Sequence, residues 1–212
     1  HTWYGTTVCS LSFHAKQIIM RHLLRTGTPE LIDYKLHDFG FRGASSVQTA
    51  RIGGAAHLVN FRGTDTIPGI RLARDHYYEP MAGNSIPASE HYTATSWGGP
   101  ECEIQFLEHM LDAYPTGPVA CISDTFDIFR ACSEHWGTTL KQKVLARDGV
   151  LIIRPDSGEP VPTLRKVLNI LGDKFGFYEN RKGFKVLNDH VRVIQGDGND
   201  LPGIEEILTA LA

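Results

Sequence analysis

The sequence predicts an α/β fold, an irregular or incomplete (β/α) barrel, and three observations carry that prediction. Short apolar, β-branched runs alternate with longer stretches in which apolar residues recur at helical spacing. The run Leu151-Ile152-Ile153 shows no polar alternation, as expected of a parallel strand covered on both faces. It stops abruptly at Arg154-Pro155-Asp156-Ser157-Gly158, so this strand delivers charge to a loop. Such alternation selects parallel strands joined by helical crossovers, with ligands at the strands' carboxyl ends.

Taken in order, Thr6-Thr7-Val8 reads as a short strand following His1, and Leu11, Ala15, Ile18, Ile19 and Leu23 as a helix that Gly27 ends. Tyr34 to His37 reads as a second strand closing on Asp38-Phe39-Gly40-Phe41-Arg42-Gly43. Ser45 or Ser46 is placed to cap the helix carrying Val47, Ala50, Ile52 and Ala56. His57 to Phe61 reads as a third strand ending in Arg62-Gly63-Thr64-Asp65, with a helix after it through Ile70, Leu72 and Ala73. Glu79 to Glu90, rich in Pro, Gly, Asn and Ser, is a long loop before a fourth strand at His91 to Thr95. Ile104, Leu107, Met110 and Leu111 mark a helix, and Pro118 to Ile122 a fifth strand ending at Ser123-Asp124. Phe126 to Arg147 holds helix broken near Gly137. Val161, Leu164, Val167, Leu168 and Leu171 make the helix after the Leu151 strand. Phe175 to Asn188 is a hairpin, Val191 to Ile194 a strand ending in Gln195-Gly196-Asp197-Gly198, and Ile204, Ile207, Leu208 and Leu211 a closing helix.

With 212 residues, 42% of them hydrophobic, the chain can bury a sizeable core, and we read residues 1–212 as a single α/β barrel-type domain. A (β/α)₈ barrel usually takes ~250 residues, so a barrel of this length is expected to lack its last strand and neighbouring N- and C-terminal segments. The opening at His1 rather than Met points to the same expectation. A formal net charge of −3 implies no broad nucleic-acid-binding face. No apolar run approaches the ~20 residues that span a bilayer, so no membrane partner is expected. Cys9, Cys102, Cys121 and Cys132 have no Cys-x-x-Cys spacing, which argues against zinc or a disulfide framework and for core thiols in a reducing, cytoplasmic compartment.

The unusual residues collect at the predicted strand ends: Asp38, Phe39, Arg42, Asp65, Asp124, Arg154, Asp156, Gly196 and Asp197. Arginines suit phosphate, carboxylates suit sugar hydroxyls or magnesium, and glycines allow close backbone approach, so the rim fits a sugar phosphate or a nucleotide. An Arg and an Asp two residues apart at a strand end are costly unless solvated or paired, which singles out Arg154 and Asp156. Asp65 by itself reads as a helix N-cap, His37 and His91 as structural histidines, and Phe39 as core. No Ser/His/Asp order or His-x-x-x-His spacing supports a hydrolase or a zinc site.

Five segments resemble one family in its own order: Lys35 to Gly43, Asn60 to Asp65, Ser85-Ile86-Pro87-Ala88-Ser89-Glu90-His91, Ile152 to Gly158, and Val193 to Gly198. Together they resemble the nicotinamide phosphoribosyltransferases, type II enzymes of the nicotinate/nicotinamide phosphoribosyltransferase superfamily, over essentially the whole chain. The resemblance implies an irregular α/β barrel, a homodimer, and transfer of phosphoribose from phosphoribosyl pyrophosphate to nicotinamide with Mg²⁺. The products would be pyrophosphate and the mononucleotide used in NAD biosynthesis. It implies that Phe39 stacks on the pyridine ring and Asp65 accepts the carboxamide NH₂. Arg154 would reach the ring amide and ribose, Asp156 the ribose hydroxyls and Arg42 a phosphate. Ser85 falls among the substrate-binding residues, Asp124 helps hold magnesium pyrophosphate, and Gly196 with Asp197 receives the product phosphate. His91 resembles the histidine phosphorylated when ATP, a coupled activator, is hydrolysed. Ala120 stands where a serine is expected near the ring pocket, and Phe41 replaces a tyrosine.

Three other readings compete. A nicotinate phosphoribosyltransferase is disfavoured by Asp65, whose charge would repel the nicotinate carboxylate. A non-catalytic fragment that needs a complementary chain follows from the expected missing segments. A sugar-phosphate aldolase or isomerase requires a lysine or general base at a strand end, and Lys35 lies inside its predicted strand.

Overall fold

The computed structural model describes residues 2–212, so His1 lies outside it. The chain is α/β with parallel sheets and forms two compact units. One comprises the chain up to Ser85 together with Asp200–Ala210; the other comprises Ile86–Asn199.

The first unit opens with helix α1, Thr2–Thr26, not with a strand at Thr6 to Val8. Ser12, Ala15, Ile19 and His22 are buried at spacings of three and four, and that helical register continues back through Val8 and Gly5. The local β-branched preference of Thr6, Thr7 and Val8 yields to it. The predicted strand at Tyr34 begins later. Pro29–Tyr34 is a 3₁₀ turn opened by proline, and strand β1 is His37–Asp38. Helix α2, Val47–His57, is capped by Ser46, whose hydroxyl accepts from Thr49 N–H at 3.0 Å. It occupies the start of the predicted His57 to Phe61 strand. Phe61 N–H donates to His57 C=O at 3.1 Å and the two rings stack 5.4 Å apart, a helical rather than an alternating relation.

Strand β2, Gly63–Thr64, pairs in parallel with β1, His37 opposite Gly63 and Asp38 opposite Thr64. Helix α3, Ile67–Tyr77, follows. Helix α9, Leu201–Leu211, capped by Asp200, contributes Ile204 to a small core with Ala15, Ile19, Ile32 and Phe61.

The second unit is built on three parallel strands in the order β3 (Val119–Ile122), β4 (Leu151–Arg154), β7 (Val191–Val193). Ile122 lies opposite Arg154, and Ile153 opposite Val193, so these strands end at one level. Helix α4 is His91–Trp97, where a strand was predicted, and α5 is Glu103–Ala113. Glu90 and Thr93 form a reciprocal capping box that starts α4. The segment that does join the sheet is just upstream. Ala88 bridges Ala120 in parallel, Ala120 N–H donates to Pro87 C=O and Ser89 N–H to Ala120 C=O, both at 2.9 Å.

The crossover from β3 to β4 runs through α6 (Ile128–Arg130), a π-helical stretch Ala131–Thr139 and α7 (Lys141–Ala146). Its break falls at Leu140 instead of Gly137. The crossover to β7 uses α8, Pro160–Phe175, and an antiparallel hairpin of β5 (Phe177–Glu179) and β6 (Lys185–Leu187). Leu164, Val167, Leu171 and Phe175 of α8 are buried, each worth roughly 1.5–3 kcal/mol of hydrophobic burial. Trp136, wholly buried, donates its indole N–H to Ser123 Oγ at 3.0 Å. Burial pushes the Cys121 and Cys132 thiols up to about 12, so both are inert core groups.

Candidate active site

Each unit gathers a cluster of the residues singled out in the sequence. In the first unit β1 and β2 end side by side, and Asp65 N–H donates to Asp38 C=O at 2.9 Å. Asp65 does not cap a helix, since Thr66 is the N-cap residue of α3. Its Oδ1 lies 2.8 Å from His37 Nε2 and also accepts from the Ser85 hydroxyl. The imidazole of His37 packs against the ring of Phe39, with centroids 4.7 Å apart and planes inclined by 34°. Phe39 is therefore a half-buried rim aromatic. Arg42 is exposed on the 3₁₀ turn Gly40–Gly43, beside Phe41, which is 40% exposed. The arrangement joins a carboxylate held by two donors to an aromatic ring. It suits a planar ligand with a polar substituent that donates hydrogen bonds.

In the second unit, β4 ends in Arg154, the segment after β3 carries Asp124, and the turn after β4 carries Asp156. Asp124, with 4% of its side chain exposed, accepts at Oδ2 from Asp156 N–H at 2.8 Å and from Ser157 Oγ at 2.5 Å. Its Oδ1 is buried and accepts no hydrogen bond among the described residues. His91, at the first turn of α4, points Nε2 between two carboxylates, 3.5 Å from Asp124 Oδ1 and 3.6 Å from Asp156 Oδ2. Its other nitrogen, Nδ1, lies 3.1 Å from Thr125 Oγ1. Arg154 is buried with Nη2 3.2 Å from Glu90 Oε2. Burial raises the Asp156 carboxyl above the ordinary carboxylate range, with the charge of Arg154 pulling it down and that of Asp124 pushing it further up.

Gly196, after β7, closes this cluster. A Cβ there would lie 2.2 Å from Asp156 Oδ1, so glycine is what lets the carboxylate occupy this place. Asp197 is exposed on the same loop and acts on Asp156 through charge alone. Ala120 is buried in β3, where its backbone holds Pro87 and Ser89. Among the described residues, no group of three or more His, Cys, Asp and Glu side chains is set to hold a metal ion. None of their helices is long and apolar enough to cross a membrane.

The structure thus groups Phe39, Asp65 and Ser85 in one cluster, and His91, Asp124, Arg154, Asp156 and Gly196 in another. Arg42 and Asp197 stand exposed at their edges. Sequence reasoning assigned no part to Glu90, Thr125 or Ser157, and gave His37 only a structural one. Glu90 sits inside the Ser89-Glu90-His91 motif, and Thr125 directly after Asp124. Position in those motifs was the only available signal.

Comparison with known proteins matches residues 34–212 to the nicotinate phosphoribosyltransferase (NAPRTase) family. A protein of Xanthomonas campestris pv. campestris named nicotinamide phosphoribosyltransferase is 51% identical over 97% of this chain, which covers 44% of that relative. Proteins of the same name from Acinetobacter baylyi and Mycoplasma pneumoniae are 32% and 31% identical over 99% of the chain, covering 45% and 47% of those relatives. The chain spans a little under half the length of the curated relatives it matches.

Proposed function

Since the chain belongs to the nicotinate phosphoribosyltransferase family, we propose that it takes part in moving phosphoribose from phosphoribosyl pyrophosphate to nicotinamide. The products are pyrophosphate and nicotinamide mononucleotide for NAD salvage. The observation that carries this reading is Asp65, an acceptor held by His37 and Ser85 beside Phe39. A carboxamide donates to such a carboxylate, whereas the carboxylate of nicotinate is repelled by it. The names of the relatives support the same base. The family's barrel, a cytoplasmic location and association as a homodimer or with a complementary chain belong to this proposal.

The pyridine nitrogen is already a nucleophile, so the reaction needs no strong general base. It needs the ring positioned and the oxocarbenium-like ribose and departing pyrophosphate stabilised. Phe39 stacks on the ring and suits it better once it becomes cationic. Asp156 takes the ribose hydroxyls, Arg154 reaches the amide and ribose, Arg42 meets phosphate, and Gly196 with Asp197 receives the product phosphate. Asp124, whose Oδ1 is buried and accepts no hydrogen bond among the described residues, would help hold a magnesium ion bound to pyrophosphate. Magnesium would supply charge neutralisation on the leaving group. His91, between two carboxylates, fits the acceptor of an ATP-derived phosphoryl group.

The test is isotope-labelled nicotinamide or nicotinate with phosphoribosyl pyrophosphate and magnesium, scored for mononucleotide and pyrophosphate. Nicotinamide mononucleotide formed in preference supports the reading. Preferential formation of the nicotinate product contradicts it and favours the other base.

A further inference from the structure

We infer that His37 is the positioning residue that sets base selectivity, by fixing the orientation of Asp65 and the pitch of Phe39 at once. This rests on Asp65 and Phe39 being the base-binding pair proposed above. One imidazole touches both. Its Nε2 is 2.8 Å from Asp65 Oδ1, and its ring centroid lies 4.7 Å from that of Phe39. A carboxylate alone turns freely about its last torsion, and its two oxygens are equivalent. Here Oδ1 accepts from both His37 and the Ser85 hydroxyl, so the carboxylate plane is set by two donors on separate segments.

His37 is itself held by its surroundings. It sits in β1 opposite Gly63 of β2, with only 15% of its side chain exposed. A Cβ on Gly63 would come within 2.8 Å of His37 Nδ1, so the ring lies against a backbone that leaves no space for a methyl group. The strand that carries Gly63 is in turn fixed from below, where His57 Nε2 lies 3.1 Å from Gly63 C=O. Strand pairing thus sets the imidazole, the imidazole sets the carboxylate, and the carboxylate discriminates amide from acid.

The experiment measures Kd for nicotinamide and for nicotinate by calorimetry, in the whole protein carrying this chain and in three variants. His37→Phe keeps a ring against Phe39 and loses the donor. His37→Gln keeps a donor of similar reach and loses the ring. Gly63→Ala moves the imidazole without changing any polar group. Loss of a hydrogen bond to a charged group predicts that His37→Phe lowers the preference for nicotinamide about tenfold or more, largely through weaker nicotinamide binding. His37→Gln should retain the preference to within about threefold, and Gly63→Ala should fall between the two.

Equal loss for both bases in His37→Phe, or an equal loss of preference in the Gln and Phe variants, overturns the proposal. If His37→Phe does not fold, the contrast between His37→Gln and Gly63→Ala decides. A parent that binds neither base overturns the reading of Asp65 and this proposal with it. A parent that binds nicotinamide without turning it over removes only the activity reading, and the ratio of Kd values still decides the role of His37.

Discussion

Gly196 shows how far one missing side chain reaches. Any Cβ at this position would occupy the place of Asp156 Oδ1, so Gly196→Ala must displace the carboxylate assigned to the ribose. The variant is expected to lose about tenfold or more in kcat/KM for phosphoribosyl pyrophosphate, as misplacement of a positioning group does, with little change in melting temperature. Steady-state kinetics beside a thermal melt check this, and unaltered kinetics would separate Asp156 from the reaction. At this scale the sequence was informative where residue type and place coincide. Arg154 and Asp156 are charged residues at the end of an apolar run, and that alone marked them, whereas Asp65 by itself read as a helix N-cap and drew its role from the family resemblance. Thr125 and Ser157 carry no such mark. Thr125 meets His91 across 34 residues and Ser157 meets Asp124 across 33, contacts that only the fold creates. His37 looked like an ordinary structural histidine because its two neighbours, Asp65 and Phe39, give it meaning.

Among the elements, those with one unambiguous period were legible. Leu151 to Ile153, the α8 stripe, the hairpin after it and Val191 to Val193 all stand where the pattern puts them. Short β-branched runs were not. Thr6 to Val8 and His91 to Thr95 read as strands locally but belong to helices, because buried spacing in α1 and the Glu90–Thr93 capping box outweigh β propensity. The segment that pairs beside β3 was hidden in a Pro-, Ser- and Ala-containing loop with no strand pattern at all. Ser89 is its anchor, since Ile122 N–H donates to the buried Ser89 hydroxyl at 2.9 Å. Ser89→Ala leaves that buried N–H without its partner and is expected to cost about 1–3 kcal/mol. Chemical denaturation measures it; a midpoint unchanged from the parent would mean that the segment does not depend on this bond.

For the molecule as a whole, the pH response of stability should trace to a buried pair in the second unit. Glu103, 2% exposed, has Oε2 3.2 Å from His135 Nε2 in the π-helical stretch. Burial raises the Glu103 carboxyl from 4.5 to about 7. Burial also lowers the His135 imidazole from its ordinary 6.5, with Arg130 adding to that. Glu103 therefore keeps a proton in the fold that the unfolded chain releases. The stability tied to it is whole below 4.5 and is lost as pH rises through 7. His135 acts in the opposite sense, its contribution being present above 6.5 and lost as pH falls through its lowered value. Glu103→Gln should flatten the fall in melting temperature as pH rises from 4.5 to about 7. A parallel fall in parent and variant would assign that limb elsewhere. Competition between labelled nicotinamide and nicotinate in one reaction tests whether the charge of Asp65 selects the base. The parent is predicted to favour nicotinamide, and Asp65→Asn, which removes the charge and keeps the shape, to lose roughly a hundredfold of that preference. An Asp65→Asn variant that discriminates as well as the parent would separate the charge of Asp65 from base selection.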